Sequence, residues 1–402
     1  MLSLQEARAK LLHGLAAMPA ETISIEQCGG RILAEDVIAA RSQPPSPLSA
    51  MDGYAARAED AAAGAVLRLV GEAPAGAPFD RAIEAGETVR IATGGIVPEN
   101  ADCIVIQENV RRSEEQIRVE VAPTRGEFVR PAGCDFVAGT VLARSGEVLT
   151  PARQALVAAA NAGKVAVHRK PKVVVVPSGD ELREPGGPLE PWQIANSATY
   201  AILDLARRWG ADAHRSDILP DDKVAARAAL KNWLEADVVV TIGGASVGDR
   251  DVLRPLIVEL GAELLFDRIA LQPGKPAWHA RFPDGRLVLG LPGNPVSAYV
   301  CAHLLLKPLL HALLGRNVDA KLETVRARLG ARLPKSGPRE TFVRAELAVD
   351  AEGSLIAAPE PRLDSSLLVP LAAANALVHR NPYSAKAESG ELVDILVLIE
   401  TF

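Results

Sequence analysis

The stretch Val238–Asp251, VVVTIGGASVGDRD, decides how the rest of the chain is read. Its opening apolar run has the character of a fully buried strand. The small residues that follow form a loop whose glycines let backbone N–H groups approach a ligand with no Cβ in the way. The loop then ends on Asp249 and Asp251, where a cradle for a bare phosphate would call for a lysine. A phosphate bridged to carboxylates by a divalent cation resolves the conflict, because Mg²⁺ takes one or two carboxylates together with phosphate oxygens and water.

Outward from this stretch, strands and helices alternate between about 170 and 318. A strand is predicted over 172–177 and a helix from about 197, which Asn196 can cap and Gly210 can end. A strand over 211–218 leads through Pro-Asp-Asp to a helix reaching Leu234, and the quoted strand covers 237–242. A short helix ends near Leu260, strands follow over 263–271 and 286–290, and a long helix begins at Val296. This alternation predicts a mostly parallel sheet covered by helices on both faces. Upstream, AVLRLVGEA, ETVRIATGG, DCIVIQENV and QIRVEVA are short β-like pieces separated by Gly, Pro and Asn, the texture of a small β-rich domain. From about 319 the helical period gives way to alternating apolar and polar residues, as in a small barrel or sandwich.

The bulk numbers fit a multidomain globular chain: 402 residues, 48% hydrophobic and 23% charged. The net charge of -6 argues against a general nucleic-acid binder. Four scattered cysteines form no CxxC pair, which suggests neither a zinc site nor a disulfide framework and fits a cytoplasmic setting. The N-terminal segment reads as an amphipathic helix and lacks the apolar core of a signal peptide. The longest apolar segment, YVCAHLLLKPLLHALLG, is interrupted by His303, Lys307, Pro308 and His311 and reads as a buried helix rather than a membrane span.

Ligands of an open parallel sheet bind beyond the carboxyl ends of its strands. Four unusual loops are expected there: SGDEL (Ser178–Leu182), GGASVGDRD, PGKP (Pro273–Pro276) and LPGNP (Leu291–Pro295). Each has a plainer reading. The glycine loop is a tight turn, Asp249 a helix cap, Lys275 a solvated charge and Pro295 a rigid helix start. Four at one edge point instead to an Mg²⁺-assisted site for a phosphorylated small molecule.

SAMDGYA (Ser49–Ala55), RIATGGIVPENADCIVIQE (Arg90–Glu108), AGCDFVAGTVL, SGDEL, GGASVGDRD, PGKP, GLPGNPVSA (Gly290–Ala298) and GPRETFVRAEL occur in that order along the chain. The ordered set resembles the MoeA family, the molybdopterin molybdenumtransferases related to the E domain of gephyrin. The resemblance implies an α/β multidomain fold. It consists of an elongated domain (1–21, 39–52 and 140–169), a β-rich inserted domain (22–38 and 53–139), the α/β domain (170–318) and a C-terminal β-barrel (319–402). It implies an enzyme that inserts molybdate into adenylylated molybdopterin with release of AMP and a need for Mg²⁺. It also implies a cytoplasmic homodimer, its cleft shared between subunits, with a molybdopterin adenylyltransferase as transient partner and no nucleic acid or membrane involved.

Carried onto this chain, the resemblance implies catalytic roles for Asp52, Thr93, Asp135, Glu181 and Lys275, and Mg²⁺ ligation by Asp251 and Asp249. Substrate contacts fall to Ser178, Gly179, Asp180, Gly243, Gly244, Ser246, Gly248, Pro292, Asn294 and Pro295. The acid of PDD is Asp221 or Asp222, the sequence leaving open which of the two faces the site, with Arg339, Ser365 and Ser366 on the barrel rim. Four positions depart from the family pattern. Gln272 stands where a basic residue is common, Ala245 replaces a usual Val, AWHARF replaces a small-aromatic-Gly continuation, and Cys134 stands where an acid is frequent. Two rival readings remain beside the transferase. One is a molybdopterin adenylyltransferase or CinA-like nucleotide-cleaving enzyme, and the other a non-catalytic scaffold.

Overall fold

The computed structural model describes residues 1–233, 235–243 and 252–398, with Lys231 and Asn232 by backbone alone. Contacts divide the chain into two compact units, one of Met1–Glu21, Gly30–Ala34 and Val167–Phe402, the other of Thr22–Gly29 and Glu35–Ala166.

The first unit is built on a six-stranded sheet. Asp212–Arg215, Lys172–Pro177, Val238–Ile242 and Leu287–Leu291 lie parallel in that order, then Trp278–Arg281 and Glu263–Phe266 continue the sheet antiparallel. The strand alternation sorts the side chains between two cores. Val173, Val175, Val238, Val240, Leu287 and Leu289 pack with the Ala198–Arg208 helix, the helical run from Pro295 to Leu313, and Leu4 and Leu11 of the first helix. Val174, Val176, Val239, Trp278 and Val288 pack with Ala226, Leu253, Leu256 and Ile257 from the Lys223–Ala229 and Leu253–Glu259 helices. The predicted three-layer arrangement is therefore present.

Two expectations are corrected. The strand expected over 263–271 is two pieces: Glu263–Phe266 stays in the central sheet, whereas Leu271–Gln272 pairs in parallel with Glu340–Thr341. Between them and Leu287 lies the unforeseen strand Trp278–Arg281, in the segment AWHARF that departs from the family pattern. The helix after the first strand is capped by Ser197, without a side-chain bond, rather than by Asn196, whose Oδ1 accepts from Thr199 Oγ1 at 2.7 Å. Gly210, with φ of +92°, ends it as expected.

The C-terminal strands Val325–Leu329, Glu340–Val349, Leu355–Pro359, Ala376–Arg380 and Leu392–Val397 close on themselves, because Glu340–Val349 pairs with both Leu355–Pro359 and Ala376–Arg380. The second unit carries another six-stranded sheet, in the order Cys103–Ile106, Gly53–Ala56, Glu87–Ile91, Val66–Ala73, Gln116–Val119 and Val110–Arg112.

Two histidines of the first unit are almost wholly enclosed, His279 at 0% and His303 at 4% exposure. Burial holds the His279 imidazole down at about 4 and that of His303 at about 3. An unfolded chain binds protons at these sites at ordinary histidine pH, while the folded chain refuses them, so stability is full above about pH 6.5 and declines as pH falls toward 4. Each histidine is expected to withdraw about 2 kcal/mol between pH 7 and pH 5. Urea unfolding at the two pH values checks this, and equal free energies would contradict it.

Candidate active site

The carboxyl ends of the parallel strands open into a cavity of about 1020 Å³ within the first unit. The strands end there on purpose-built turns. After Lys172–Pro177, Ser178 N donates to Ile242 O at 2.9 Å and its Oγ donates to Asp221 Oδ1 at 3.2 Å. After Val238–Ile242, Gly243 has a φ of +93° and lies so close to Ser178 that a Cβ would strike the Ser178 carbonyl oxygen. After Leu287–Leu291, Pro292, Gly293, Asn294 and Pro295 begin the next helix. Lys275 and Pro276 enter ahead of the antiparallel Trp278–Arg281 strand, whose start lies beside Gly290.

Charge is mixed along this wall. The described lining residues include three carboxylates, Glu181, Asp221 and Asp267, and three cations, Arg254, Arg268 and Lys275. Lys275 is exposed and has no ion-pair partner among the described residues, leaving its ammonium open to an anion. Arg268 Nε lies 3.8 Å from Asp267 Oδ2, a loose contact.

Of the predicted residues, Ser178, Gly179, Glu181, Gly243, Lys275, Pro292, Asn294, Pro295 and Ser366 meet around this one cavity. Asp180 stands behind them, its Oδ1 accepting from Asp221 N at 3.1 Å. The two adjacent acids of PDD divide. Asp221 lines the cavity, whereas Asp222 caps the Lys223–Ala229 helix, its Oδ1 accepting from Ala225 N at 2.7 Å. Of the two alternatives, Asp221 is the acid that faces the cavity. Ser365 serves as a tie: its Oγ accepts from Asn294 Nδ2 at 2.9 Å and its carbonyl from Val296 N at 3.1 Å. Arg339 turns to Gln272, donating from Nη2 to Oε1 at 3.0 Å, so that the departing Gln272 is engaged by the barrel. Gly244, Ser246, Gly248, Asp249 and Asp251 lie outside the described residues.

Asp52, Thr93 and Asp135 belong to the second unit. Asp52 Oδ1 accepts from Thr93 N at 2.7 Å and from Thr93 Oγ1 at 2.9 Å. These two bonds, the backbone one first, hold the Asp52 carboxyl below the usual carboxylate range and keep it ionised. Asp135 is exposed, and its N donates to Gln43 O at 3.0 Å.

Arg254 and Arg268 line the cavity without having been singled out in the sequence, and Asn196, expected only as a helix cap, lines it too. Arg254 carried a usable signal, since it opens the helix directly after the glycine loop. Arg268 carried none, because its loop became a wall only when the chain on either side split into two strands.

Residues 2–161 match the MoeA N-terminal region (domain I and II), residues 174–312 a probable molybdopterin binding domain, and residues 326–398 the MoeA C-terminal region (domain IV). The molybdopterin molybdenumtransferase of Nostoc sp. is 34% identical over 331 residues, covering 80% of this chain and 76% of that protein. The molybdopterin molybdenumtransferase of Haemophilus influenzae is 33% identical over 363 residues, with 88% of each chain covered. The solved structure of a molybdopterin biosynthesis MoeA protein from Pyrococcus horikoshii superposes with a TM-score of 0.85 at 32% identity, over 100% of both chains.

Proposed function

The chain belongs to the MoeA family, and from that premise we propose that it is a molybdopterin molybdenumtransferase whose cavity at the sheet edge receives adenylylated molybdopterin and molybdate. The observation that carries this reading is the convergence of Ser178, Glu181, Asp221, Gly243, Lys275 and Asn294 on a single cavity, delivered by five separate strand ends or turns.

The donor chemistry of the cavity fits Mg²⁺. Among the described residues no group of three or more His, Cys, Asp or Glu is arranged to hold an ion. A phosphate-bound Mg²⁺ needs only one or two protein carboxylates, and Glu181 and Asp221 supply a pair of hard oxygen donors. These two would hold the ion, with Asp249 and Asp251 as further ligands implied by the family. When bound, Mg²⁺ neutralises phosphate charge.

The remaining work falls to the chain itself. Lys275, and Arg268 beside it in the cavity lining, attract the phosphates and molybdate, itself a dianion. Gly243 admits the ligand close to the backbone. The Ser178–Asp221 hydrogen bond holds that carboxylate in place. Positioning and charge neutralisation carry both metal insertion and the release of AMP, and no nucleophilic side chain is required. The same reading takes the protein as a cytoplasmic homodimer that meets a molybdopterin adenylyltransferase transiently. It draws on the family's assembly and on four free thiols.

AMP release from adenylylated molybdopterin with Mg²⁺, measured with and without molybdate, tests the reading. Release is expected to require molybdate and to fall about 10²-fold in Lys275→Ala and in Asp251→Asn. Molybdate-independent release, or none from a folded wild type, would overturn it, the second outcome favouring a binding module.

A further inference from the structure

We propose that Asn196 reads the fused nitrogen heterocycle of the substrate, donating its side-chain amide N–H to a ring nitrogen or exocyclic carbonyl; the proposal rests on the reading of the cavity given above.

Asn196 lies on the cavity wall and is 2% exposed. Its backbone is fixed by a small flap in which Leu182–Arg183 and Ile194–Ala195 pair in parallel, and Asn196 N donates to Arg183 O at 2.8 Å. The carboxamide is oriented as well. Its Oδ1 accepts from the hydroxyl of the fully buried Thr199 at 2.7 Å, which leaves the nitrogen as the group without a task. That Nδ2 is enclosed and finds no acceptor among the described residues. Enclosing an amide donor without an acceptor is unfavourable, so folded proteins rarely do it without a compensating role. A ligand acceptor at this wall supplies the missing partner.

The surroundings select the class of ligand. The cavity residues between 182 and 198 are Leu182, Ile194, Ala195, Asn196, Ser197 and Ala198, and none carries a charge. The cations of the cavity come from other segments, Arg254, Arg268 and Lys275. A planar heterocycle with an acceptor at its edge suits an apolar wall bearing one neutral donor, whereas a phosphate suits the cationic segments. Adenylylated molybdopterin offers two such rings, adenine and pterin, with the same acceptor chemistry.

The test is binding of three probes to the full chain by titration calorimetry: AMP, pterin and inorganic phosphate. Wild type is compared with Asn196→Ala and with Asn196→Asp, which is isosteric, keeps an oxygen for Thr199 and removes the amide donor. Affinity for one ring-bearing probe is expected to fall about five- to tenfold in Asn196→Ala with inorganic phosphate unchanged, and in Asn196→Asp, whose new charge also weakens phosphate, to fall further than phosphate does. The ring that loses affinity identifies the occupant. Unchanged ring affinities, equal losses for all three probes, or a wild type that binds neither ring would overturn the proposal. Matching thermal midpoints show that the variants fold, and should the alanine variant fail, the aspartate variant carries the comparison. AMP release by the wild type is measured in parallel: ring binding that depends on Asn196 without any AMP release would sink the transferase reading and leave the subsite standing.

Discussion

Replacing Arg8 with alanine is expected to cost about 3–5 kcal/mol of folding stability, more than any other single truncation of an N-terminal charged residue. Arg8 is 6% exposed although it sits in the first turns of the chain's first helix. Its guanidinium donates to backbone carbonyls: Nε to Ala320 O at 2.7 Å, Nη2 to Asp319 O at 2.9 Å and Nη1 to Leu304 O at 2.9 Å. The last of these has a specific origin. Pro308 has no N–H to return to the carbonyl four residues earlier, so Leu304 O has lost its regular helical partner. The helix there is of π type over Ala302–Leu306, with Lys307 N reaching Ala302 O. Arg8 satisfies the orphaned carbonyl from a helix nearly three hundred residues away, at a separation of 296 in the chain. Burial lowers the Arg8 pKa from its ordinary value, and the charge nevertheless persists because a guanidinium does not deprotonate in a folded protein. Alanine would strand the buried Leu304 carbonyl and leave the half-buried Ala320 and Asp319 carbonyls without their donor. Lysine would not rescue them, since its single ammonium cannot span the acceptors of a planar fork. Urea unfolding of Arg8→Ala and Arg8→Lys at pH 7 measures the effect, and a loss below about 1 kcal/mol in the alanine variant would refute it.

Gly243→Ala is expected to lower AMP release by about 10²-fold or more. Two costs coincide at this residue. Its φ of +93° lies where L side chains are strained, and its Cβ would meet the Ser178 carbonyl oxygen, which is backbone and cannot swing aside. The same glycine donates its N–H to Leu291 O at 3.3 Å, so it sits where three strand ends come together. Making room for a methyl would part those ends and displace Ser178 and Pro292 along with them, and misplacement of about 1 Å is enough for a loss of this size. Gly285→Ala separates the two costs. Gly285 has a comparable φ of +90° with nothing within 4 Å of the added Cβ, so it should lose about 1 kcal/mol of stability and keep AMP release. Equal AMP release from the Gly243 and Gly285 variants would show that the close approach at Ser178 is dispensable.

Much of the fold was legible in the sequence because it depends on local period and local punctuation. KVVVVP, VVVTI and LVLGL are continuous apolar runs, and only strands covered on both faces are apolar on both sides of the pleat. The glycine and proline loops that follow them announced the ligand edge for an equally local reason, since a backbone that must come near a ligand cannot carry a side chain at that point. The ordered motifs further identified the family.

Tertiary structure alone decided the rest. AWHARF has no clean alternation, and Trp278–Arg281 is a strand because Leu287–Leu291 on one side and Glu263–Phe266 on the other offer it hydrogen-bonding partners. Asp221 and Asp222 are chemically identical neighbours, and only the start of a helix assigns one to a cap and the other to the cavity. Arg8 reads as the polar position of an amphipathic helix until the π segment and Pro308 bring it an acceptor. The unpartnered amide of Asn196 likewise exists only once Thr199 has claimed the oxygen and packing has buried the nitrogen. Periodicity and turn chemistry are properties of a few consecutive residues, so the sequence carries them by itself. Which donor meets which acceptor across hundreds of residues is settled by packing, where desolvation turns each unmet polar group into a cost and each met one into a constraint.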